Sequence, residues 1–243
     1  ANVKREFDVD DLDHAPRLQI KAAAGLGKTT EVIRELPKHK GLVCNYHVPS
    51  TELALELAKK FREAGVPARA ILGRENGAPD NPMCAKYLAA KKASTLGLNV
   101  YKTLCRSGDN EGNIHECKHF MNCRYLKQLH EVPNVRIMAH EYLFSPPPMR
   151  IKTPDIIVID EAHNVAERGK GSSQRAKLAK LLSGRSDTLI MLSATPHDGK
   201  ARSFASLMNM LDPTAIANPD DYGPEDIKGL FIRRFKKDIQ AQV

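Results

Sequence analysis

The run AAAGLGKTT, residues 22–30, constrains the fold of this chain more than any other stretch. Before it, Leu18 to Lys21 reads as a short strand; after it, Thr29 to Leu36 carries helical spacing. The chain must pass from strand to helix through a turn that Gly25 and Gly27 permit, the setting that the G-x-x-x-x-G-K-[ST] pattern requires. Ala22 fills the first position, as the looser form of the pattern allows. In such a turn the backbone of Ala24, Gly25, Leu26, Gly27, Lys28, Thr29 and Thr30 offers N–H groups to phosphate oxygens at a helix N-terminus, where the helix dipole favours anions. Lys28 is expected to reach the β- and γ-phosphates of a nucleoside triphosphate, and Thr29 to offer its hydroxyl to magnesium. The plain alternative is a glycine turn beside an ordinary lysine.

A second segment, IIVIDEAH at 156–163, strengthens the first. Its β-branched apolar run reads as a strand buried in a parallel sheet, with two carboxylates delivered at its C-terminal end. Open α/β sheets bind their ligands at that end. Asp160 is placed to hold magnesium, directly or through water, and Glu161 to orient or deprotonate an attacking water. Alone, the segment is also what a strand ending in a solvated Asp-Glu turn looks like.

With both segments in view, the sequence resembles the superfamily 2 helicases and translocases, whose second motif reads DEAH or a close variant. Val48 to Lys60, VPSTELALELAKK, is similar to the family segment that grips nucleic-acid backbone. Ser193, Ala194 and Thr195 end another apolar run, Thr188 to Leu192, and resemble the SAT motif that links hydrolysis to movement. The resemblance implies ATP as the nucleotide and His163, Ser193 and Thr195 as coupling residues. It also implies a RecA-like lobe over 16–243, and a second RecA-like lobe, supplying an arginine finger, that is absent from this chain. Residues 226–243 are expected to start the linker to that lobe.

The formal net charge is +8 and favours a polyanionic partner, which charge alone does not identify. From Cys84 to His130 there are eight Lys or Arg against three Asp or Glu, and from Asp226 to Val243 five against two. The acidic N-terminal segment, 1–15, is expected to be a mobile lead-in. No apolar run approaches the roughly 18 residues that span a bilayer, and no signal-peptide pattern is present, so no membrane partner and a cytoplasmic location are expected.

Strand patterns at Leu18–Lys21, Leu42–Val48, Ala68–Gly73, Val135–His140, Asp155–Asp160 and Thr188–Ser193 alternate with helical ones at Thr29–Leu36, Glu52–Ala64, Gln174–Leu182 and Ala201–Leu211. The fold class is therefore α/β: a P-loop lobe whose mainly parallel sheet carries helices on both faces. Residues 76–132 break this rhythm and read as an insertion.

Inside the insertion, Cys84, Cys105, Cys117 and Cys123 are separated by 20, 11 and 5 residues. Four thiolates suffice for a tetrahedral zinc site or an iron–sulfur cube, although none of these intervals is the tight C-x-x-C. Four unrelated cysteines are the alternative. His115 and His119 flank Cys117 and could replace a thiolate on zinc, while Cys44, in a strand pattern, is expected in the core. The arrangement resembles the iron–sulfur helicases related to DNA repair and those of mobile elements: Gly73-Arg74-Glu75-Asn76 matches the lead-in to their first cysteine, and Cys123-Arg124-Tyr125 the segment after their last. The resemblance implies an iron–sulfur cluster, with Zn2+ as the alternative, and DNA contacts from Arg74, Lys118, Arg124 and Lys127 beside Phe120 or Tyr125. A solvated basic face would look the same.

The C-terminal part, Leu192 to Pro213 and Leu230 to Ile239, instead resembles Swi/Snf-type translocases, with Arg233 and Arg234 expected on DNA or on the second lobe. The expectation is thus an ATP-dependent DNA helicase or translocase lobe, weak in isolation. The alternatives are a nucleotide-responsive or catalytically silent module that binds DNA or protein, and a P-loop enzyme acting on a small substrate.

Overall fold

The structure is a computed structural model and describes residues 17–22, 27–39, 41–109, 111–130, 132–144, 152–166, 182, 187–195 and 200–234. In chain order its elements begin with β1 (Arg17–Ala22), α1 (Lys28–Glu35), β2 (Cys44–Val48), α2 (Thr51–Glu63) and β3 (Ala68–Ala70). The insertion follows, with α3 (Tyr87–Thr95), β4 (Arg106–Gly108), β5 (Ile114–Glu116) and the single turn α4 (Arg124–Lys127). The chain then returns through β6 (Val135–Ala139), β7 (Ile156–Ile159), β8 (Thr188–Ser193), α5 (Ala201–Leu211) and β9 (Phe231–Arg234).

Seven strands form one sheet in the order β3-β6-β2-β7-β8-β1-β9, with every neighbouring pair parallel. All carboxyl ends therefore lie along one edge. The three adjacent strands β7, β8 and β1 are those that end in the DEAH, SAT and Gly-rich segments.

The sheet buries both faces. On β7, Val158 packs into a core with Tyr46, Leu57, Phe61 and the partly buried Val32 and Ile33, the α1 and α2 side. Its neighbours Ile157 and Ile159 enter the opposite core with Phe204, Leu207, Met208 and Leu211 of α5. A side-chain period of two on a strand apolar at every position requires a helix layer on each face.

Local chemistry fixes the helices. Ser50 caps α2, its Oγ accepting from Leu53 N at 3.3 Å, and Ala54, Leu57, Ala58 and Phe61 form the buried stripe at helical spacing. Gly65, at φ 78, ends it: Gly65 N donates to Arg62 O and Val66 N to Phe61 O, the paired bonds of a Schellman turn.

Three departures from the sequence reading have physical causes. The edge strand stops at Ala70, short of Gly73, because the N–H and C=O of Leu72 bond to the Gln128 side-chain amide, at 2.9 and 2.8 Å. The insertion holds a helix, α3, where no helical pattern was evident, since only Ala90 and Ala93 of it are buried. Phe231–Arg234 pairs with β1 as a seventh strand. The helix expected at Gln174–Leu182, apart from Leu182, and the proline connector 146–148 lie outside the described residues, as do the N-terminal segment 1–15 and residues 235–243.

Candidate active site

At the carboxyl edge, α1 begins directly after Gly27, whose φ of 73 is a left-handed conformation that glycine adopts without a Cβ penalty. Gly27 O accepts from Glu31 N at 2.8 Å, so the helix starts there, with Lys28 as its first residue and Thr29 and Thr30 next. Ala24, Gly25 and Leu26 lie outside the described residues.

Asp160 follows the last residue of β7, its N–H bonded to His47 O at 2.8 Å. Its carboxylate is the meeting point of three elements. Oδ2 accepts from Thr29 Oγ1 at 3.4 Å and from the Tyr46 hydroxyl at 3.0 Å, and Oδ1 accepts from Glu161 N at 3.0 Å. Behind it, the buried His140 places Nε2 at 2.8 Å from Asp160 O. Burial pulls the His140 pKa down, so the ring is neutral and Nε2 carries the donated hydrogen. Tyr46 and His140 escaped sequence reading because neither lies in a motif; only the adjacency of β2, β6 and β7 brings them to Asp160.

Glu161 has φ 48 and ψ 49, the one non-glycine residue with positive φ among the described residues. This costs about 1–2 kcal/mol for an L-residue and turns the chain abruptly from β7 into the short 3-10 helix Ala162–Val165. Ala162 and Val165 are thereby buried, and His163 turns back so that its Nδ1 lies 3.3 Å from Glu161 Oε2 and 3.2 Å from Ser193 Oγ. A carboxylate only accepts, so the contact with Glu161 places the ring proton on Nδ1. Ser193 is fully buried at the end of β8, and Thr195 is exposed just beyond it.

The four insertion cysteines come together as two pairs. The β4–β5 hairpin, with Arg106 opposite Glu116, brings Cys105 and Cys117 side by side at its base, where Cys117 N bonds Cys105 O at 2.9 Å. A bond from Tyr125 N to Met83 O, also 2.9 Å, sets Cys123 beside Cys84. The turn before Cys84 requires Gly77, at φ 85, because a Cβ there would run into the Asn81 carbonyl. Arg74 bridges the pairs, its Nη1 3.8 Å from Cys84 Sγ and 3.6 Å from Cys105 Sγ, and its guanidinium lies 4.0 Å from the centre of the Tyr125 ring. All four cysteines line one small cavity of about 20 Å³, with His119 and Phe120 in its wall. The Cys123 thiol donates to Cys84, and with the Arg74 guanidinium holds the Cys84 thiol well below its usual range while Cys123 is pushed up. Among the described residues no three His, Cys, Asp or Glu stand close enough together to hold a single metal ion.

The basic residues of the insertion are distributed differently. Lys118, Arg124 and Lys127 are exposed; Arg124 bonds Asn81 O at 3.0 Å and Lys127 bonds Asn122 Oδ1 at 3.4 Å. His115 faces Asp109, at 3.2 Å, and Phe120 packs edge-on against Tyr101. On α2, Lys60 and Lys59 pair with Glu56 and Glu63 at 2.6 and 3.7 Å. The side chains of Arg233 and Arg234 lie outside the described residues. No helix among the described residues is long and apolar enough to cross a membrane.

Residues 10–204 match the family described as DEAD/DEAH box helicase. Among solved structures, the chain is similar to the Hef helicase domain of Pyrococcus furiosus, with a TM-score of 0.51 and 16% identity over 94% of this chain and 37% of that one. It is also similar to the SWI2/SNF2 ATPase core of Sulfolobus solfataricus in complex with dsDNA, with a TM-score of 0.50 and 15% identity over 92% of this chain and 41% of that one. At such identities the likeness is one of fold, and the chain spans well under half the length of either structure. No curated protein matches the sequence.

Proposed function

The chain belongs to the DEAD/DEAH box helicase family, and on that footing we propose that it is the ATP-binding lobe of a DNA helicase or translocase. The observation that carries the reading is the approach of Thr29 Oγ1 to Asp160 Oδ2, 3.4 Å apart, from segments 131 residues distant in sequence. A hydroxyl from a helix N-terminus and a carboxylate from a strand end are the donor set that Mg2+ takes alongside phosphate oxygens.

Thr29 and Asp160 would hold the magnesium ion, which when bound neutralises phosphate charge. Lys28 binds the β- and γ-phosphates with the first-turn N–H groups of α1. Glu161 takes a proton from the water that attacks the γ-phosphorus as the bond to the β–γ bridging oxygen breaks. His163 ties Glu161 to Ser193, so that movement of the catalytic carboxylate is felt at β8 and at Thr195. A second RecA-like lobe would complete the site with an arginine, and without it the rate is lower by about 10³ to 10⁵.

An iron–sulfur cluster, with Zn2+ as the alternative, is the proposed occupant between Cys84, Cys105, Cys117 and Cys123, on the ground that the four cysteines line one small cavity. Such a cluster supplies a rigid cross-link for the insertion. Arg74 then offsets thiolate charge, and the exposed Lys118, Arg124 and Lys127 remain for DNA phosphates, with Arg233 and Arg234 towards DNA or the second lobe.

The test is ATP hydrolysis by this chain with and without DNA, alongside Lys28→Ala. Slow hydrolysis, raised by DNA and abolished by Lys28→Ala, is expected. DNA binding indifferent to ATP and to Lys28→Ala would overturn the reading in favour of a silent binding module.

A further inference from the structure

Tyr46 sits in the middle of β2, fully buried, with its ring edge-on to Phe61 at 6.1 Å. In the β2–β7 register it lies opposite Val158. Asp160 is two residues beyond Val158 and shares its face, so a phenol leaning along the strand, where two residues span about 6.6 Å, reaches the carboxylate. It donates to Oδ2 at 3.0 Å, the same oxygen that Thr29 approaches. A buried hydroxyl needs a partner, and here the partner is the acidic residue of the nucleotide site. Burial, and then the Asp160 charge, raise the Tyr46 pKa, so the hydroxyl stays protonated and remains a donor.

With Tyr46 and Thr29 on Oδ2 and Glu161 N on Oδ1, three of about four lone-pair directions of Asp160 are engaged. We propose that Tyr46 is a positioning residue for the cation site, holding the Asp160 carboxylate in place so that magnesium meets an acceptor already oriented. The inference rests on the nucleotide-site reading above and adds to it a residue outside every motif. It places the determinant of metal affinity partly in the sheet interior, where β2 crosses beneath the site.

The test is binding of a fluorescent ATP analogue to the whole chain, titrated with Mg2+, for the wild type and for Tyr46→Phe, Asp160→Asn and Phe61→Leu. Tyr46→Phe keeps the ring and its packing and removes only the donor. It is expected to raise the half-saturating Mg2+ by about tenfold, the scale of losing a partner behind a metal ligand. Nucleotide binding without Mg2+ is expected to be unchanged, with recovery in Mn2+, which most such ligand sets hold more tightly than Mg2+. Phe61→Leu is expected to lower the thermal midpoint without changing the Mg2+ requirement. A Tyr46→Phe curve that overlays the wild type while Asp160→Asn shifts would overturn this inference alone, as would an equal Mg2+ shift in Phe61→Leu, which would assign the effect to packing. Absence of Mg2+-dependent binding in the wild type would overturn it together with the nucleotide-site reading.

Discussion

His163 Nδ1 lies 3.2 Å from Ser193 Oγ, joining the end of β7 to the end of β8 at the carboxyl edge of the sheet. The same nitrogen is 3.3 Å from Glu161 Oε2, so one imidazole touches both the carboxylate assigned to water activation and the strand end that leads to Thr195. The hydrogen bonds that place Thr29 and the Asp160 carboxylate run to each other, to Tyr46 and to Glu161 N. His163→Ala is therefore expected to keep ATP binding and to reduce DNA stimulation of hydrolysis by on the order of tenfold, a usual coupling strength between sites. Paired measurements of ATP affinity and of hydrolysis with and without DNA check this; a matched loss of both would show a general disruption instead.

Glu161 combines a chemical role with a strained backbone. Glu161→Gln keeps the shape, removes the proton acceptor, and is expected to lower hydrolysis by about 10² to 10⁴ with ATP binding retained. Glu161→Gly also abolishes hydrolysis but removes the left-handed penalty at φ 48, and should stabilise the fold by about 1 kcal/mol. Urea unfolding of the two variants separates the effects, and a Gly variant less stable than the Gln variant would contradict the strain argument.

Elemental analysis of anaerobically purified protein is expected to find about four irons per chain with matching sulfide. Ser in place of Cys84, Cys105, Cys117 or Cys123 should deplete them, and Arg74→Ala should weaken their retention. Cys44→Ser is the control, since Cys44 is buried in the sheet with its thiol pushed up to about 12, remote from the other four. One zinc per chain would instead assign the four cysteines to a single tetrahedral ion.

His140 gives the nucleotide edge a pH dependence of defined sign. Its folded pKa is depressed below the ordinary 6.5 by burial, so the neutral ring contributes stability that is present above 6.5 and lost as pH falls through the folded value. The thermal midpoint should decline between pH 7 and 5, and His140→Gln, which retains a donor for Asp160 O, should decline less. Parallel slopes for the two proteins would remove His140 as the source.

Segments whose character is local were legible before the fold. The strand and the helix that flank the glycine-rich run, the buried run ending at Asp160, and the apolar run ending at Ser193 each carry their periodicity and terminus within a dozen residues, and the helical pattern at Ala201–Leu211 coincides with α5. The 20-, 11- and 5-residue gaps between cysteines carried no geometry, because a hairpin register and one bond between Met83 and Tyr125 close them.

By itself the sequence determined an alternating α/β chain with a glycine-rich and an acidic segment at strand ends, since side-chain period and turn glycines act over neighbouring residues. Only the tertiary structure decided that β7, β8 and β1 are adjacent, that β9 closes the edge beside β1, and that Tyr46 and His140 reach Asp160. Strand order in a parallel sheet is set by long crossovers and by hydrogen bonds between backbones far apart in the chain, and those partners leave no mark on the local pattern of either strand.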